Sequence, residues 1–378
     1  MNKKERIAAA IHHKKIDKIP WTMYASYPPW GETERRFRNE ELTLIYQHFP
    51  ICKVTMPEVK VTEESHYLLG SDNGRNVIIR KFSTPRGEVS TKHELFINSL
   101  PTPGDLIQKF GSEIDQEMLS WVTGFPFQSE SDYEILEFIY KNMQFSPNFE
   151  EFIKTEKLIG SDGFIMANLG QSPFQTLLYQ LMGIERCYLE YDSNPKKFRR
   201  LYEVLYENLR RKYRLAAEAP AQLFWSAENL TSMLTPPDLF QEFYIPFYNE
   251  MAEILHKKGK VYAVHMDGNL QNLVHLIKET KIDIIEAFTP PPMGDLSVTD
   301  AMKMWKDKII WINFPGTLLA TADAKEIKEY TIEMLKSVAP GDNFMIGCTE
   351  SYPMERWEMA FGAISNALKE CGDYPIQC

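Results

Sequence analysis

The sequence lacks the segments by which proteins usually bind membranes or nucleic acids. No apolar run approaches the ~18–20 residues needed to span a bilayer. No basic block is longer than a few residues, and the formal net charge is −10. Binding to nucleic acid depends on neutralising phosphates with clustered basic residues, so we expect neither nucleic acid nor a membrane as a partner. The start of the chain has an amphipathic helical pattern instead of a signal peptide, which predicts a cytoplasmic protein.

Cysteine is also scarce. The five cysteines stand at positions 52, 187, 348, 371 and 378, and none forms a CxxC pair. This spacing predicts neither a zinc ribbon nor a disulfide framework. Cys371 falls on the apolar stripe of a predicted last helix, and we expect it to be a core residue.

The chain has no GxGxxG and no GxxxxGK[ST] motif, which are the phosphate-binding loops of many doubly wound sheets. It does contain regularly spaced apolar runs, with room for a helix between successive ones. They are Gly163–Leu169, Ala221–Ser226, Val261–Val264, Ile282–Ile285, Ile309–Asn313 and Asn343–Gly347. With a first strand near Lys18–Tyr24 and one further early strand, the pattern predicts a (β/α)8 TIM barrel of the α/β class. A doubly wound sheet is the alternative.

The domain prediction is one barrel domain over residues 1–378. Within it, residues 35–160 form an elaborated insertion with a β-hairpin and helices. The hairpin is indicated by two short strand patterns, 77–82 and 87–92, separated by Thr-Pro-Arg-Gly.

Polar residues follow the predicted strands. Because the carboxyl ends of parallel strands share one rim, these side chains are expected to converge. They are Gln171 or Ser172, Glu228, His265 with Asp267, Glu286, Asn313, and Cys348 with Glu350. Imidazole, thiolate and carboxylate together suit zinc, but the same groups allow acid–base chemistry without a metal. A hydrogen-bonded structural histidine, a buried cysteine and structural ion pairs are the alternatives.

Aromatic residues gather after the first strand. Trp21, Tyr24, Tyr27 and Trp30 lie close together in sequence beside Pro28, Pro29 and Gly31. Such a loop predicts the wall of a pocket for a flat, apolar ligand. A loop core packed beneath the insertion is the alternative.

Several motifs resemble the uroporphyrinogen decarboxylase superfamily, and within it the branch of cobalamin-dependent methyltransferases. They are Lys4–Ile11 with Asp17–Pro20, Pro173–Gly183, Tyr244–Tyr248, His265–Asn269 and Gly347–Pro353. The likeness is weakest between about residues 35 and 160, and it implies a (β/α)8 barrel.

Two departures separate the chain from the decarboxylases of that superfamily. Where these carry Arg-Gln-Ala-Gly-Arg to bind porphyrinogen carboxylates, this chain has residues 23–30 without arginine. Where they carry Gly-His-Gly, this chain has Gly347-Cys348-Thr349. The resemblance therefore implies that propionate recognition is lost.

The methyltransferase branch typically binds zinc through a His-x-Cys pair and a distant cysteine. By this resemblance His265 and Cys348 are metal ligands, and Asp267 stands at the position of the middle thiol. Asp267, Glu228 or Glu286 is expected to complete the set. Predicted catalytic residues are His265, Asp267 and Glu286; predicted substrate-binding residues are Trp21, Tyr24, Tyr27, Trp30 and Asn313.

The resemblance implies a zinc-dependent methyltransferase. It would move a methyl group from a methoxylated substrate, most plausibly an aryl methyl ether, to the cob(I)amide of a corrinoid protein. A homodimer is possible. The alternatives are a metal-free decarboxylase-like enzyme acting on a polycarboxylate, and a non-catalytic protein that binds the corrinoid carrier.

Overall fold

Eight parallel strands close into a barrel in the computed structural model, which describes residues 1–28, 31–68, 75–96, 121–350 and 352–378. Around the barrel the strand order is β1, β14, β13, β12, β11, β10, β9 and β2. Their bounds are Trp21–Tyr24 (β1), Leu42–Pro50 (β2), Gly163–Gly170 (β9), Leu223–Ser226 (β10), Val261–His265 (β11), Ile284–Phe288 (β12), Ile309–Asn313 (β13) and Phe344–Cys348 (β14). The predicted (β/α)8 barrel is confirmed.

The apolar runs form barrel strands because both of their faces are buried. Every residue of β1 and of β10 to β14 is buried. Strands covered on both sides read as continuous apolar runs instead of alternating patterns, which is why these six were visible in the sequence. In contrast, β2 carries polar Gln47 and His48 and could only be expected as an unplaced early strand.

Helices follow most of the barrel strands. The helical segments of the described chain are Lys3–Ala10, Glu32–Asn39, Asp132–Asn142, Phe149–Ile159, Pro173–Thr176, Leu177–Leu181, Ile184–Ser193, Pro195–Ala216, Pro237–Leu239, Phe240–Tyr244, Ile245–His256, Gln271–Leu273, Val274–Lys278, Val298–Met304, Gly316–Thr321, Ala324–Ser337, Met354–Arg356 and Trp357–Cys371. Within the described ranges, none of them is long and apolar enough to cross a membrane.

The helix Ala324–Ser337 begins with a capping box. Asp323 accepts a hydrogen bond from the backbone N–H of Glu326, and the Glu326 carboxylate accepts one from the backbone N–H of Asp323. This reciprocal capping satisfies two of the N–H groups that a helix start leaves without intrahelical partners.

A second set of strands is antiparallel. It comprises a four-stranded sheet in the order Lys60–Leu68 (β4), Arg75–Thr84 (β5), Gly87–Phe96 (β6) and Trp121–Gly124 (β7), and a pair formed by Cys52–Thr55 (β3) and Gln144–Pro147 (β8). The predicted hairpin is confirmed as β5 and β6, which pair from Thr84 and Gly87 onward.

The chain divides into two compact units. The first comprises Met1–Phe49, Ile153–Asn168 and Ala221–Cys378, and the second comprises Pro50–Phe152 and Leu169–Pro220. The single domain with an insertion over residues 35–160 stays a prediction, although β2, which lies in that range, is a barrel strand.

A disulfide joins Cys371 to Cys378 near the C-terminus, contrary to the expectation from cysteine spacing. The last residues turn back along the first unit, where the Tyr374 N–H donates to the Asp17 carbonyl and the Ile376 N–H donates to the Pro340 carbonyl. This path brings the two cysteines to a Cα separation of 5.5 Å, well within disulfide range. The pairing of Cys371 with Cys378 depends on the path of the C-terminal residues, and no sequence motif indicates that path.

Cys378→Ser should lower the free energy of unfolding by about 2–3 kcal/mol, because the disulfide closes a short loop and restricts the unfolded chain. Urea denaturation of the oxidised protein and of the variant measures this difference. Under reductant the two proteins should unfold alike. The account is wrong if the oxidised, denatured wild type shows five free thiols instead of three.

Candidate metal centre

Paired positions on neighbouring parallel strands place their side chains on the same face of the barrel wall. His265 pairs with Glu286, and the Tyr24 hydroxyl reaches Glu286, so all three side chains lie inside the barrel. One residue before Tyr24, Met23 lies on the outer face and pairs with Cys348. The register therefore separates an inner set of residues from an outer set that contains Cys348.

His265 ends β11 and is nearly buried, with 7% of its side chain exposed. Its Nδ1 lies 2.8 Å from Oε2 of Glu286. Its Nε2 faces the other way, 3.7 Å from Asp267 Oδ2 and 4.0 Å from Glu350 Oε1. One ring nitrogen is thus occupied by Glu286, and the other points toward two carboxylates.

Glu286 is fully buried on β12, and hydrogen bonds to both of its oxygens offset the cost of burying a carboxylate. The Tyr24 hydroxyl donates to Oε1 at 2.7 Å, and the Trp225 indole N–H donates to Oε2 at 2.8 Å. With the contact to His265, the carboxylate has three partners. Through these contacts it holds the imidazole in place, and its alternative role as a metal ligand stays a prediction.

Among the described residues, His265, Asp267 and Glu350 form the one group of three or more histidine, cysteine or acidic side chains with converging ligand atoms. We call it the ligand group. One atom from each residue lies within 4.8 Å of the others. Asp267 is placed by Gly268, where a Cβ atom would lie 2.8 Å from the Leu230 carbonyl oxygen, so only glycine permits this loop path.

The charges of the ligand group perturb one another. Burial lowers the pKa of His265, but the negative charges of Glu286 and Asp267 outweigh it and bring the pKa well above its usual value. Burial raises the pKa of Glu350 to about 7; His265 opposes this rise, and Asp267 and Glu286 add to it. Without a cation, the group therefore retains protons near neutral pH. A divalent ion would replace those protons.

Cys348, which the sequence predicted as a zinc ligand, lies outside the ligand group. It shares the outer face with Met23, and its thiol donates to the Glu350 carbonyl at 3.8 Å. Burial and, to a smaller extent, the charge of a Cys348 thiolate raise the pKa of Tyr352. The Tyr352 ring packs against Trp357 with ring centroids 5.7 Å apart. Burial raises the pKa of the Cys348 thiol to about 12.

Glu228 is also outside the ligand group, although it was a predicted ligand. It follows β10 and is completely buried, and its backbone N–H donates to the Ser226 carbonyl. Its position directly after a strand predicts that Glu228 lies at the rim of the barrel. That position does not predict which of the carboxylates at the rim lie close together.

The aromatic residues after the first strand divide between the two faces. Trp21 lies on the outer face, edge-on to Phe37 with ring centroids 6.1 Å apart, so it belongs to the strand–helix core and not to a pocket wall. Tyr24 lies inside, and Tyr27 stacks on it at 6.1 Å with an interplanar angle of 16°. Trp30 lies outside the described residues.

Asn313 lies inside the barrel at the end of β13 and supports the loop that carries Glu350. Its amide oxygen accepts a hydrogen bond from the Thr349 backbone N–H at 3.0 Å. Its amide nitrogen donates to the Thr289 hydroxyl at 3.5 Å. A contact between Asn313 and a substrate stays a prediction.

Two residues of the centre were not assigned roles from the sequence. Glu350 follows Cys348 by two positions, as Asp267 follows His265, so both acids occupy the same place beyond a strand. That repeated spacing was an available signal. Trp225 carried none, because its inward direction depends on the pairing of β10 with β11.

The fold and the centre define a class of protein: a (β/α)8 barrel with nitrogen and oxygen ligand atoms gathered beyond the carboxyl ends of its strands. A comparison of the sequence with protein families assigns the chain to one family within this class. Residues 141–355, more than half of the chain, match the family described as uroporphyrinogen decarboxylase (URO-D). The chain belongs to this family. None of the curated proteins matches the sequence.

A similar solved structure supports the fold. A methyltransferase from Methanosarcina mazei is similar, with a TM-score of 0.57 and 14% identity over 98% of this chain and 99% of that one. A dipeptide epimerase from Enterococcus faecalis has a TM-score of 0.26 and 10% identity, over 82% and 79% of the two chains. The first similarity shows the fold alone, and the second is too low to support an inference.

Proposed function

We propose that the protein is a metal-dependent methyltransferase that takes a methyl group from an aryl methyl ether and passes it to the cob(I)amide of a corrinoid protein. The observation that carries the proposal is the convergence of His265, Asp267 and Glu350 beyond the carboxyl ends of the barrel strands. The methyltransferase from Methanosarcina mazei shares this fold, and the sequence motifs resemble the cobalamin-dependent branch.

The donor set fits a divalent metal. One imidazole and two carboxylates are acceptable zinc ligands, and three protein ligands leave a position open for a substrate atom. When bound, zinc would withdraw electron density from the ether oxygen and so favour departure of the phenolate. A set without thiolate is harder than the sulfur-containing sets of the branch and suits an oxygen substrate better than a thioether.

The side chains around the ligand group orient it. Glu286 accepts from Nδ1–H of His265, which directs Nε2 of the ring toward Asp267 and Glu350. Tyr27, which is partly exposed and stacks on the buried Tyr24, would provide flat apolar surface for an aromatic ring.

The partner must approach from the side on which the ligand group is accessible. The side chains of Asp267 and Glu350 are 28% and 41% exposed, whereas Glu286 behind them is fully buried. A corrinoid protein would present its cob(I)amide there, accept the methyl group and leave the phenolate as the second product. The protein would act in the cytoplasm.

A decarboxylase acting on a polycarboxylate fits this centre poorly. Asp267, Glu286 and Glu350 would repel an anionic substrate, and residues 23–30 supply no arginine to offset that repulsion. The third possibility, a non-catalytic protein that binds a corrinoid carrier, becomes an outcome of the experiment.

The zinc-loaded protein should convert cob(I)alamin to methylcobalamin when incubated with an uncharged methoxylated aromatic such as guaiacol. The change in the corrinoid absorption spectrum and the demethylated phenol are both measured. Methanol, methylamines and methyl thioethers serve as parallel donors. Transfer from these alone would overturn the ether substrate, and no transfer from any donor would contradict the methyltransferase proposal.

A further inference from the structure

We propose that Trp225 and Tyr24 are positioning residues that set the affinity of the centre for its metal by fixing the Glu286 carboxylate. This inference rests on the proposed metal site, and it assigns a role to two residues that are not members of the ligand group. They act on His265 mainly through Glu286, and the Tyr24 hydroxyl also lies 3.4 Å from His265 Nδ1.

The two donors hold opposite oxygens of one carboxylate. Tyr24 donates to Oε1 and Trp225 donates to Oε2, and each hydrogen bond is short and buried. A carboxylate held at both oxygens cannot rotate about its terminal torsion without breaking one of the two bonds. Oε2, which also contacts His265 Nδ1 at 2.8 Å, is thereby fixed in position.

The two aromatic rings also restrict the imidazole. The Trp225 and His265 rings lie edge to face, with centroids 5.7 Å apart and an interplanar angle of 81°. Trp225 and Tyr24 meet in a similar way at 6.2 Å and 77°. The imidazole is therefore confined by Trp225 packing and by the Glu286 bond. Its Nε2 stays directed toward Asp267 and Glu350.

Four strands supply this arrangement, since Tyr24 is on β1, Trp225 on β10, His265 on β11 and Glu286 on β12. The barrel holds these backbones rigidly, so the position of Nε2 depends on strand geometry and not on a loop. Loss of one donor should free Glu286 to tilt, and the imidazole should follow it.

The experiment compares Trp225→Phe and Tyr24→Phe with two matched variants. Trp311→Phe removes another fully buried indole N–H, which donates to Thr22, and Tyr262→Phe removes a buried hydroxyl that pairs with Ser226. Zinc affinity is measured by competition with a chromogenic chelator. We expect Trp225→Phe and Tyr24→Phe to weaken zinc binding by about 10- to 100-fold, as for other outer partners of metal ligands, and the matched variants to change it less than about 3-fold.

A double-variant cycle separates a positioning role from general loss of stability. In the Glu286→Ala background, Tyr24→Phe should have little further effect on zinc affinity, because the side-chain oxygens through which it acts are gone. Equal effects in both backgrounds would overturn the inference. So would unchanged affinity of both Trp225→Phe and Tyr24→Phe.

The outcome also distinguishes this inference from the proposed function. If the wild-type protein binds no zinc, the metal site itself is wrong. If the wild type binds zinc and transfers methyl groups while the variants bind zinc equally well, only the positioning role is wrong. If Trp225→Phe does not fold, Tyr24→Phe alone decides, since it removes only one hydroxyl group.

Discussion

His265→Ala and Glu350→Ala should each weaken zinc binding by more than about 100-fold, since loss of a direct ligand costs more than loss of an outer partner. Both residues belong to the ligand group, whose three donor atoms lie within 4.8 Å of one another. Metal content after dialysis and affinity by chelator competition are the two measurements.

Cys348→Ser is the decisive companion to these variants. Its side chain lies on the outer face with Met23 and donates to the Glu350 carbonyl, a contact that serine can keep, so the substitution should leave zinc affinity unchanged within about 3-fold. Zinc loss in Cys348→Ser together with zinc retention in Glu350→Ala would restore the thiolate ligand and reject the ligand group.

Zinc affinity should increase steeply with pH. Glu350 has a pKa raised to about 7, and His265 has a pKa well above its usual value. Below pH 7 both groups carry a proton that the metal must displace, so the affinity should rise by about two decades per pH unit. Above pH 7 only His265 still carries its proton, and the rise should fall to about one decade per unit.

The sign follows from the direction of the two shifts. Raised pKa values extend the protonated, metal-free form to higher pH, so binding weakens as the pH falls through them. Glu350→Gln removes one of the two protons and should reduce the slope below pH 7 to about one decade per unit. A slope near zero between pH 6 and 7 would show that neither group binds the metal.

The barrel could be predicted because most of its strands are buried on both faces. Ile309–Asn313 and Val261–His265 read as uninterrupted apolar runs followed by polar residues, and parallel pairing then places those polar residues at one rim. His265 and Asp267 were expected at that rim in this way, and the structure brings their ligand atoms together with one of Glu350. Glu350 was placed at the same rim but was not chosen as a ligand.

The direction of each side chain could not be predicted, because it depends on register. Cys348 and Thr349 are neighbours in sequence, yet Cys348 lies on the outer face and pairs with Met23, while the Thr349 N–H is held by Asn313 inside the barrel. Trp21 and Tyr24 likewise lie on opposite faces of their strand. A shift of one residue in register reverses the face of every side chain, and the sequence alone does not indicate that register.

The most direct test of the ligand group is zinc K-edge X-ray absorption of the zinc-loaded protein. The account predicts a first shell of nitrogen and oxygen atoms alone, at about 2.0–2.2 Å. A sulfur atom at about 2.3 Å would contradict it, because that distance identifies a thiolate and would place Cys348 on the metal.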